Sequence, residues 1–91
     1  MHHVLTITYT QPIEVVDQTR PAHIDWVKAQ IDAGKLLLAG RQETGAGGIL
    51  VTSDIEPADV EAMIATDPYL LAGVAEYDRV GFNAGLRGPG L

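Results

Sequence analysis

The chain has no cysteine among its 91 residues. A disulfide scaffold, a thiolate zinc site and a cysteine nucleophile are therefore all excluded. Long apolar runs are also lacking, since the stretch Tyr69–Ala75 is far shorter than the ~20 residues that a membrane-spanning helix needs. Because no charged and then apolar leader opens the chain, we expect a cytoplasmic protein.

Positive charge is scarce in this sequence. Six Lys and Arg residues stand against twelve Asp and Glu residues, which gives a formal net charge of −6. The cations are scattered along the chain, so that no basic surface for phosphates is indicated. We therefore expect neither nucleic acid nor a membrane among the partners. With 46% hydrophobic and 20% charged residues, the composition is typical of one small globular domain.

Hydrophobic periodicity predicts the order strand, helix, strand, strand, helix, strand. This order is the split βαβ arrangement of a ferredoxin-like α+β fold, in which two helices cover one face of a four-stranded antiparallel sheet. We expect a single domain over residues 1–91, with its core at about 4–82 and a loose tail at 83–91. The predicted strands are Val4–Tyr9, Leu36–Ala39, Ile49–Thr52 and Val74–Phe82.

The first helix is predicted to begin between Asp17 and Pro21, because proline fits a first helical turn. It is predicted to end at Gly34 in the left-handed conformation. Trp26 falls outside the apolar stripe of this helix, so that we expect it to be half-exposed or to lie in an oligomer contact. The stripe consists of Ile24, Val27 and Ile31.

The second helix is predicted around Pro57, with Ser53 or Asp54 as its cap. Its apolar side consists of Val60, Met63 and Ile64.

The second strand is apolar on both faces, since strict alternation places Leu36 and Leu38 opposite to Leu37 and Ala39. A ferredoxin-like arrangement leaves one sheet face without helices. A second copy of the chain is the expected cover, and we therefore expect a homodimer. The C-terminal tail folding back is the other cover that the sequence leaves open.

His23 is the histidine best placed for chemistry. It lies at the edge of the stripe that packs on the sheet, about 40° from Val27 on the helical wheel. Asp67 ends the second helix, and the fold places both helices on the same sheet face, so that the two side chains are permitted to meet. A carboxylate on one imidazole nitrogen leaves the other nitrogen for a ligand, as in a general base. A structural hydrogen bond is the alternative.

The other two histidines, His2 and His3, are expected at a mobile terminus without a specific role. Adjacent strand residues point to opposite faces, so that the two make a poor metal pair.

Candidate substrate-binding residues are Arg20 and Tyr69. The planar guanidinium of Arg20 suits a carboxylate or phenolate, and it could equally pair with Asp17. Tyr69 and Tyr9 could line a pocket, or lie at the edge of the core.

Three motifs in the same order resemble the YciI-like (YCII-related domain) family. They are Arg20-Pro21-Ala22-His23, the segment Gly34–Gly40 and Asp67-Pro68-Tyr69, against the family patterns R-P-x-H, G-[RK]-L-L-x-A-G and D-P-[YF]. The similarity extends from about Val4 to Phe82. Arg41 stands where many members carry proline, at the expected rim of a cleft.

The resemblance implies a fold that dimerises through its sheets as an α+β barrel, similar to muconolactone isomerase. It also implies an active site on a His–Asp pair, which falls on His23 and Asp67. One relative is a dehydrochlorinase of a chlorinated hydroxyhydroquinone, which implies a small-molecule enzyme.

We therefore expect an isomerase or a dehydrochlorinase-like lyase that acts on a small aromatic or enol acid without a cofactor or metal. His23 is expected to transfer the proton, Asp67 to orient His23, and Arg20 and Tyr69 to position the substrate. The alternative is a non-catalytic dimeric binding or accessory module of unknown ligand. A haem- or oxygen-using monooxygenase is less favoured, because one Phe and one Trp offer few large side chains for its cavity.

Overall fold

The computed structural model describes residues 1–91. Its elements are β1 His2–Tyr9, α1 Ile13–Asp32, β2 Leu36–Arg41, β3 Gly47–Thr52, α2 Pro57–Ile64, α3 Pro68–Leu71 and β4 Ala75–Phe82. The four strands form one antiparallel sheet in the order β2-β3-β1-β4. This topology confirms the expected ferredoxin-like α+β fold. None of the helices combines the length and the apolar character that crossing a membrane requires.

Helix α1 begins earlier than predicted. Pro12 is its N-cap, and the Pro12 carbonyl accepts the first helical hydrogen bonds from Val15 and Val16. Pro21 lies inside the helix rather than in its first turn, so that the prediction from this proline was wrong. The burial of Val16 explains the extra turn, because its side chain is wholly removed from solvent. The predicted end is confirmed, since Gly34 has a φ of 76°.

Helix α2 is capped differently from the prediction. Glu56 is its N-cap in an extended conformation, and Pro57 is the first helical residue. The residue before a proline is driven out of the helical region, which fixes this boundary. Asp54 pairs instead with the N-terminal amine, and the Ser53 hydroxyl donates to the Lys35 carbonyl. The predicted apolar side of α2 is buried.

The core lies between the helices and one sheet face, and Trp26 belongs to it. Its side chain is buried at 8% exposure, and its indole Nε1 donates to Thr66 Oγ1 at 2.9 Å. The expectation of a half-exposed tryptophan was wrong, because α1 packs on the segment between α2 and α3 as well as on the sheet. The predicted stripe is only partly covered, and Ile24 and Ile31 remain about 40% exposed.

The two N-terminal histidines are part of β1 rather than a mobile terminus. His3 is wholly buried. Its Nε2–H donates to the Ile55 carbonyl at 2.9 Å, and Nδ1 accepts from Arg79 at 3.2 Å. Pairing of β1 with β4 reaches His2, opposite Phe82. Hydrophobic periodicity did not include these two residues in the strand, because their side chains are polar. In the fold, both imidazole rings form hydrogen bonds with backbone carbonyls.

Strand β2 does not alternate as predicted. A β-bulge between Leu36 and Leu38 adds one residue and shifts the alternation. Leu36 is therefore buried beneath the helices, whereas Leu38 pairs with Val51 on the sheet face that has no helices. We call this face the outer face. The register places on it the apolar residues Val4, Leu38, Ile49, Val51, Val80 and Phe82 together with the polar residues His2, Thr6, Thr8, Glu76 and Asp78.

Candidate active site

The fold brings His23 and Asp67 into direct contact. His23 Nδ1 lies 2.7 Å from Asp67 Oδ1, across 44 positions of sequence. The His23 side chain is 11% exposed and the Asp67 side chain is completely buried. A carboxylate only accepts hydrogen bonds, so that the hydrogen of this contact lies on Nδ1. Nε2 has no hydrogen-bond partner within the protein.

Asp67 is held by two further donors. The Tyr69 backbone N–H donates to Oδ1 at 2.9 Å, and the Tyr77 hydroxyl donates a short hydrogen bond to Oδ2. The carboxylate therefore receives hydrogen bonds from α1, α3 and β4 at once. A buried carboxylate without such partners is strongly disfavoured, so that the set of donors is a condition for placing Asp67 here.

The local sequence explains the position of Asp67. Pro68 fixes the first residue of α3 and keeps Asp67 extended, with φ −65° and ψ 124°. Asp67 is thereby the N-cap of α3, and its side chain accepts from the helix N-terminus. The Asp-Pro pair thus ends one helix, begins the next and directs the carboxylate towards α1.

Aromatic rings hold the imidazole of His23. The Tyr69 ring stacks on it with a centroid distance of 3.8 Å and an interplanar angle of 9°. The Trp26 ring lies on it at 5.8 Å and 29°. Together with the bond to Asp67, these contacts restrict the rotation of His23, which favours one direction for Nε2.

A cleft of about 330 Å³ opens between α1 and the sheet, and His23 lies in its wall. Tyr9, Tyr69 and Arg20 line the same cleft, and the Arg20 guanidinium lies 5.9 Å from the centre of the Tyr9 ring. Its volume is near the lower end of the range for small-molecule sites, which suits a single ring. Most of the wall is apolar, formed by Ile7, Ile24, Val27, Ile31, Ala39 and Leu50.

Two polar side chains of this cleft differ in their partners. Arg20 forms an ion pair with Asp17, with Nε and Nη2 both 2.7 Å from Asp17 Oδ1. The Tyr69 hydroxyl is buried and has no hydrogen-bond partner. A buried polar group without a partner is costly, and this one lies beside His23. This arrangement suits an anionic oxygen of a ligand.

The sequence predicted four of the side chains assembled here. His23, Asp67, Arg20 and Tyr69 lie together, and the pairing of Arg20 with Asp17 that was left open is present as well. Tyr77 was missed. The alternation of residues along β4 places Tyr77 on the sheet face towards the helices, and this could have suggested that it lies near Asp67. The hydrogen bond of its hydroxyl could not have been predicted from that pattern.

Two cations were not predicted to bind substrate, although both line the cleft. Lys28 lies on α1 and Arg41 at the end of β2. The expectation that Arg41 lies at the rim is consistent with this position. The net charge of the chain, which is negative, did not indicate that cations would lie together in one cleft.

We expect the free energy of unfolding to fall as the pH rises from 10 towards 12. Burial and the neighbouring Tyr9 raise the pKa of Tyr69 from 10.0 to about 12. Burial and then Asp67 also raise the pKa of Tyr77. In this range the folded chain binds more protons than the unfolded chain, and stability is lost with increasing pH. Urea unfolding at several pH values measures this slope.

The Tyr77→Phe variant removes one of these phenols, so that its alkaline slope should be shallower. Glu76→Gln, an exposed neighbour on β4, is the control and should keep the slope of the unmodified chain. Equal slopes for Tyr77→Phe and the unmodified chain would contradict the buried contact with Asp67.

Comparison with known proteins agrees with the motifs and the fold. In sequence, the chain is 67% identical over 24 residues to the "12 kDa protein" of Mycolicibacterium smegmatis, which covers 26% of this chain and 100% of that sequence. In structure, it is similar to 5-chloro-2-hydroxyhydroquinone dehydrochlorinase (TftG) from Burkholderia phenoliruptrix AC1100 in complex with 2,5-dihydroxybenzoquinone. The TM-score is 0.77 at 17% identity, over 93% of this chain and 96% of that one. The family model of the YCII-related domain matches residues 1–83, and the chain therefore belongs to the YCII-related domain family.

Proposed function

We propose that this protein is a cofactor-independent enzyme that moves a proton on a small aromatic or enol acid, as an isomerase or a dehydrochlorinase-like lyase. The observation that carries the proposal is the His23 imidazole, bonded to a buried carboxylate through Nδ1 and lining an open cleft with its Nε2 unpaired. An imidazole so placed serves as a general base and, once protonated, as a general acid.

Each of the four site residues has a separate role in this proposal. His23 Nε2 takes the proton, and Asp67 orients the ring and stabilises the imidazolium that forms. Arg20 and Tyr69 donate to an oxygen of the substrate on which negative charge develops. The unpartnered Tyr69 hydroxyl and the position of Arg20 in the wall of the cleft support this assignment.

The proposed chemistry conserves atoms and electrons without an oxidant. In an elimination from a chlorinated hydroxyhydroquinone, His23 moves a proton from a hydroxyl to the ring carbon that bears chlorine, which gives a keto tautomer. A second hydroxyl then loses its proton to His23, its electron pair forms a carbonyl, the adjacent ring double bond shifts, and chloride leaves with the pair of the C–Cl bond. In an isomerisation, the same proton is returned from His23 to another atom of the enolate. The structural neighbour is described as a dehydrochlorinase in complex with a quinone, and this supports the elimination.

The first test is turnover of 5-chloro-2-hydroxyhydroquinone, followed by chloride release, and of muconolactone. We expect turnover of at least one, and His23→Gln should lower kcat by about 10²–10⁴-fold, the usual contribution of general acid–base catalysis. His2→Asn is the control, because His2 lies on the outer face, away from the cleft. The single tryptophan, Trp26, lies 5.8 Å from the His23 ring and reports ligand binding by its fluorescence.

Equal turnover by His23→Gln and the unmodified chain would contradict the proposal. The non-catalytic alternative predicts a different outcome: no turnover and no response of Trp26 fluorescence to either compound. The free energy of unfolding of His23→Ala does not separate the two functions, because the buried Asp67 carboxylate loses a hydrogen-bond donor in both, at a cost of about 1–3 kcal/mol.

We also propose that the protein is a homodimer, joined through the outer face as a dimeric α+β barrel. Leu38 and Val80 on this face are 66% and 65% exposed. The C-terminal tail borders the same face across a hollow of about 670 Å³, yet Leu86 and Leu91 point into solvent at 97% and 81% exposure. The tail therefore leaves an apolar surface that a second sheet would cover.

Leu38→Asp should convert the dimer to a monomer, because a carboxylate would be buried without a partner between the sheets. Leu71→Asp is the matched control: Leu71 is equally exposed, at 73%, but lies on α3 among the helices. Analytical ultracentrifugation gives the mass of each variant. An unmodified chain that is monomeric at micromolar concentration, or a Leu38→Asp variant that is still dimeric, would refute the proposal.

A further inference from the structure

We infer that the substrate of this cleft carries two acidic groups on one planar ring. One acidic group is bound by Arg20 and Tyr69, at what we call the inner end of the cleft. The other is bound by Lys28 and Arg41, at what we call its outer end. This inference rests on the proposed function of the same cleft and names its substrate class: a small aromatic or quinonoid dianion.

The first observation is the charge of the cleft wall. Three of the six cations of the chain, Arg20, Lys28 and Arg41, line the cleft, and none of its twelve carboxylates does. Asp67 lies behind His23 and does not reach the surface of the cleft. A chain of net charge −6 thus has one concave surface whose charged side chains are all cations. Such a concave surface concentrates anions, and the charge of the remaining surface repels them.

The second observation is that these cations do not form one cluster. Arg20 and Lys28 are eight residues apart on α1, which is about 12 Å along the helix axis. Arg41 lies on the edge strand β2, separated from Tyr9 on β1 by strand β3, and hence by about 10 Å. Lys28 and Arg41 are thus both displaced from Arg20, one along the helix and the other across the sheet. We take Arg20 as the inner end of the cleft and the side of Lys28 and Arg41 as its outer end.

The third observation concerns the partners of these cations. Arg20 is paired with Asp17, and Arg79 outside the cleft is paired with Glu61. Lys28 and Arg41 form no ion pair with any carboxylate of the chain, although carboxylates outnumber cations two to one. Both remain available to an anion from outside.

The wall between the two ends is apolar, with Ile24 and Val27 on α1 facing Leu50 on β3. A flat ring fits between such surfaces, and burial of its faces contributes to binding. The acidic groups at its two edges then reach the two cationic ends. A monoanion satisfies one end only, so that the second group determines both affinity and orientation.

The probe pair for this inference is terephthalate and its monomethyl ester, which have nearly the same ring and length but differ by one charge. We expect terephthalate to bind at least tenfold more tightly than the ester, in line with one added charge-assisted contact. Isothermal titration calorimetry at low ionic strength measures both dissociation constants. Because the outer cations are exposed, salt should narrow the difference.

The variant Lys28→Gln/Arg41→Gln should reduce the preference for terephthalate to under about twofold, while binding of the ester changes little. Lys35→Gln/Arg87→Gln is the matched control, since Lys35 and Arg87 are exposed cations outside the cleft. It removes the same two charges from the chain and should keep the preference.

Equal binding of terephthalate and the ester, or failure of both to bind, would overturn the inference, as would a preference that survives in Lys28→Gln/Arg41→Gln. If terephthalate is not preferred over the ester while turnover depends on His23, the inference of a second acidic group is refuted and the proposed function stands. If terephthalate is preferred while His23→Gln turns over normally, the proposed proton transfer by His23 is refuted instead.

Discussion

The buried carboxylate of Asp67 is the constraint on which the site depends. It has no contact with solvent and accepts hydrogen bonds from Tyr69 N–H, Tyr77 O–H and His23 Nδ1–H. A carboxylate in that environment is tolerated only when its oxygens are saturated with donors. The three donors come from α3, β4 and α1, so that the position of each element relative to the others is tied to one side chain. The same bonds leave Nε2 as the imidazole nitrogen that has no partner within the protein.

The electrostatics of the molecule are arranged around this centre. Acidic residues outnumber basic ones in the chain, yet the cleft is lined by cations and by the unpartnered hydroxyl of Tyr69. In the proposed function, an imidazole that removes a proton leaves negative charge on the substrate, and the surrounding donors stabilise that charge. The apolar side chains of α1 and the sheet lie against the faces of the ring in this proposal. Charge, shape and the direction of Nε2 thus favour the same class of small acidic ligand.

Much of this arrangement could be predicted from the sequence, and the exceptions have physical causes. Periodicity predicted the order of elements, and the topology then allowed His23 and Asp67 to meet. The early start of α1 was missed because Pro21 is a stronger local signal than the burial of Val16. The bulge in β2 was missed because strict alternation assumes an unbroken strand. Trp26 and His3 are buried because partners distant in sequence, Thr66 and Ile55, accept their hydrogen bonds, which no local pattern reveals.

The most direct test of the account is the tautomer of His23, measured by long-range proton–nitrogen NMR on histidine labelled with nitrogen-15 at mildly alkaline pH. The account predicts a neutral ring with its hydrogen on Nδ1 and a nitrogen shift of Nε2 that changes when a ligand enters the cleft. In Asp67→Asn, the population of the Nδ1–H form should fall. A ring with its hydrogen on Nε2 in the unmodified chain, or one that is indifferent to Asp67→Asn, would contradict the account.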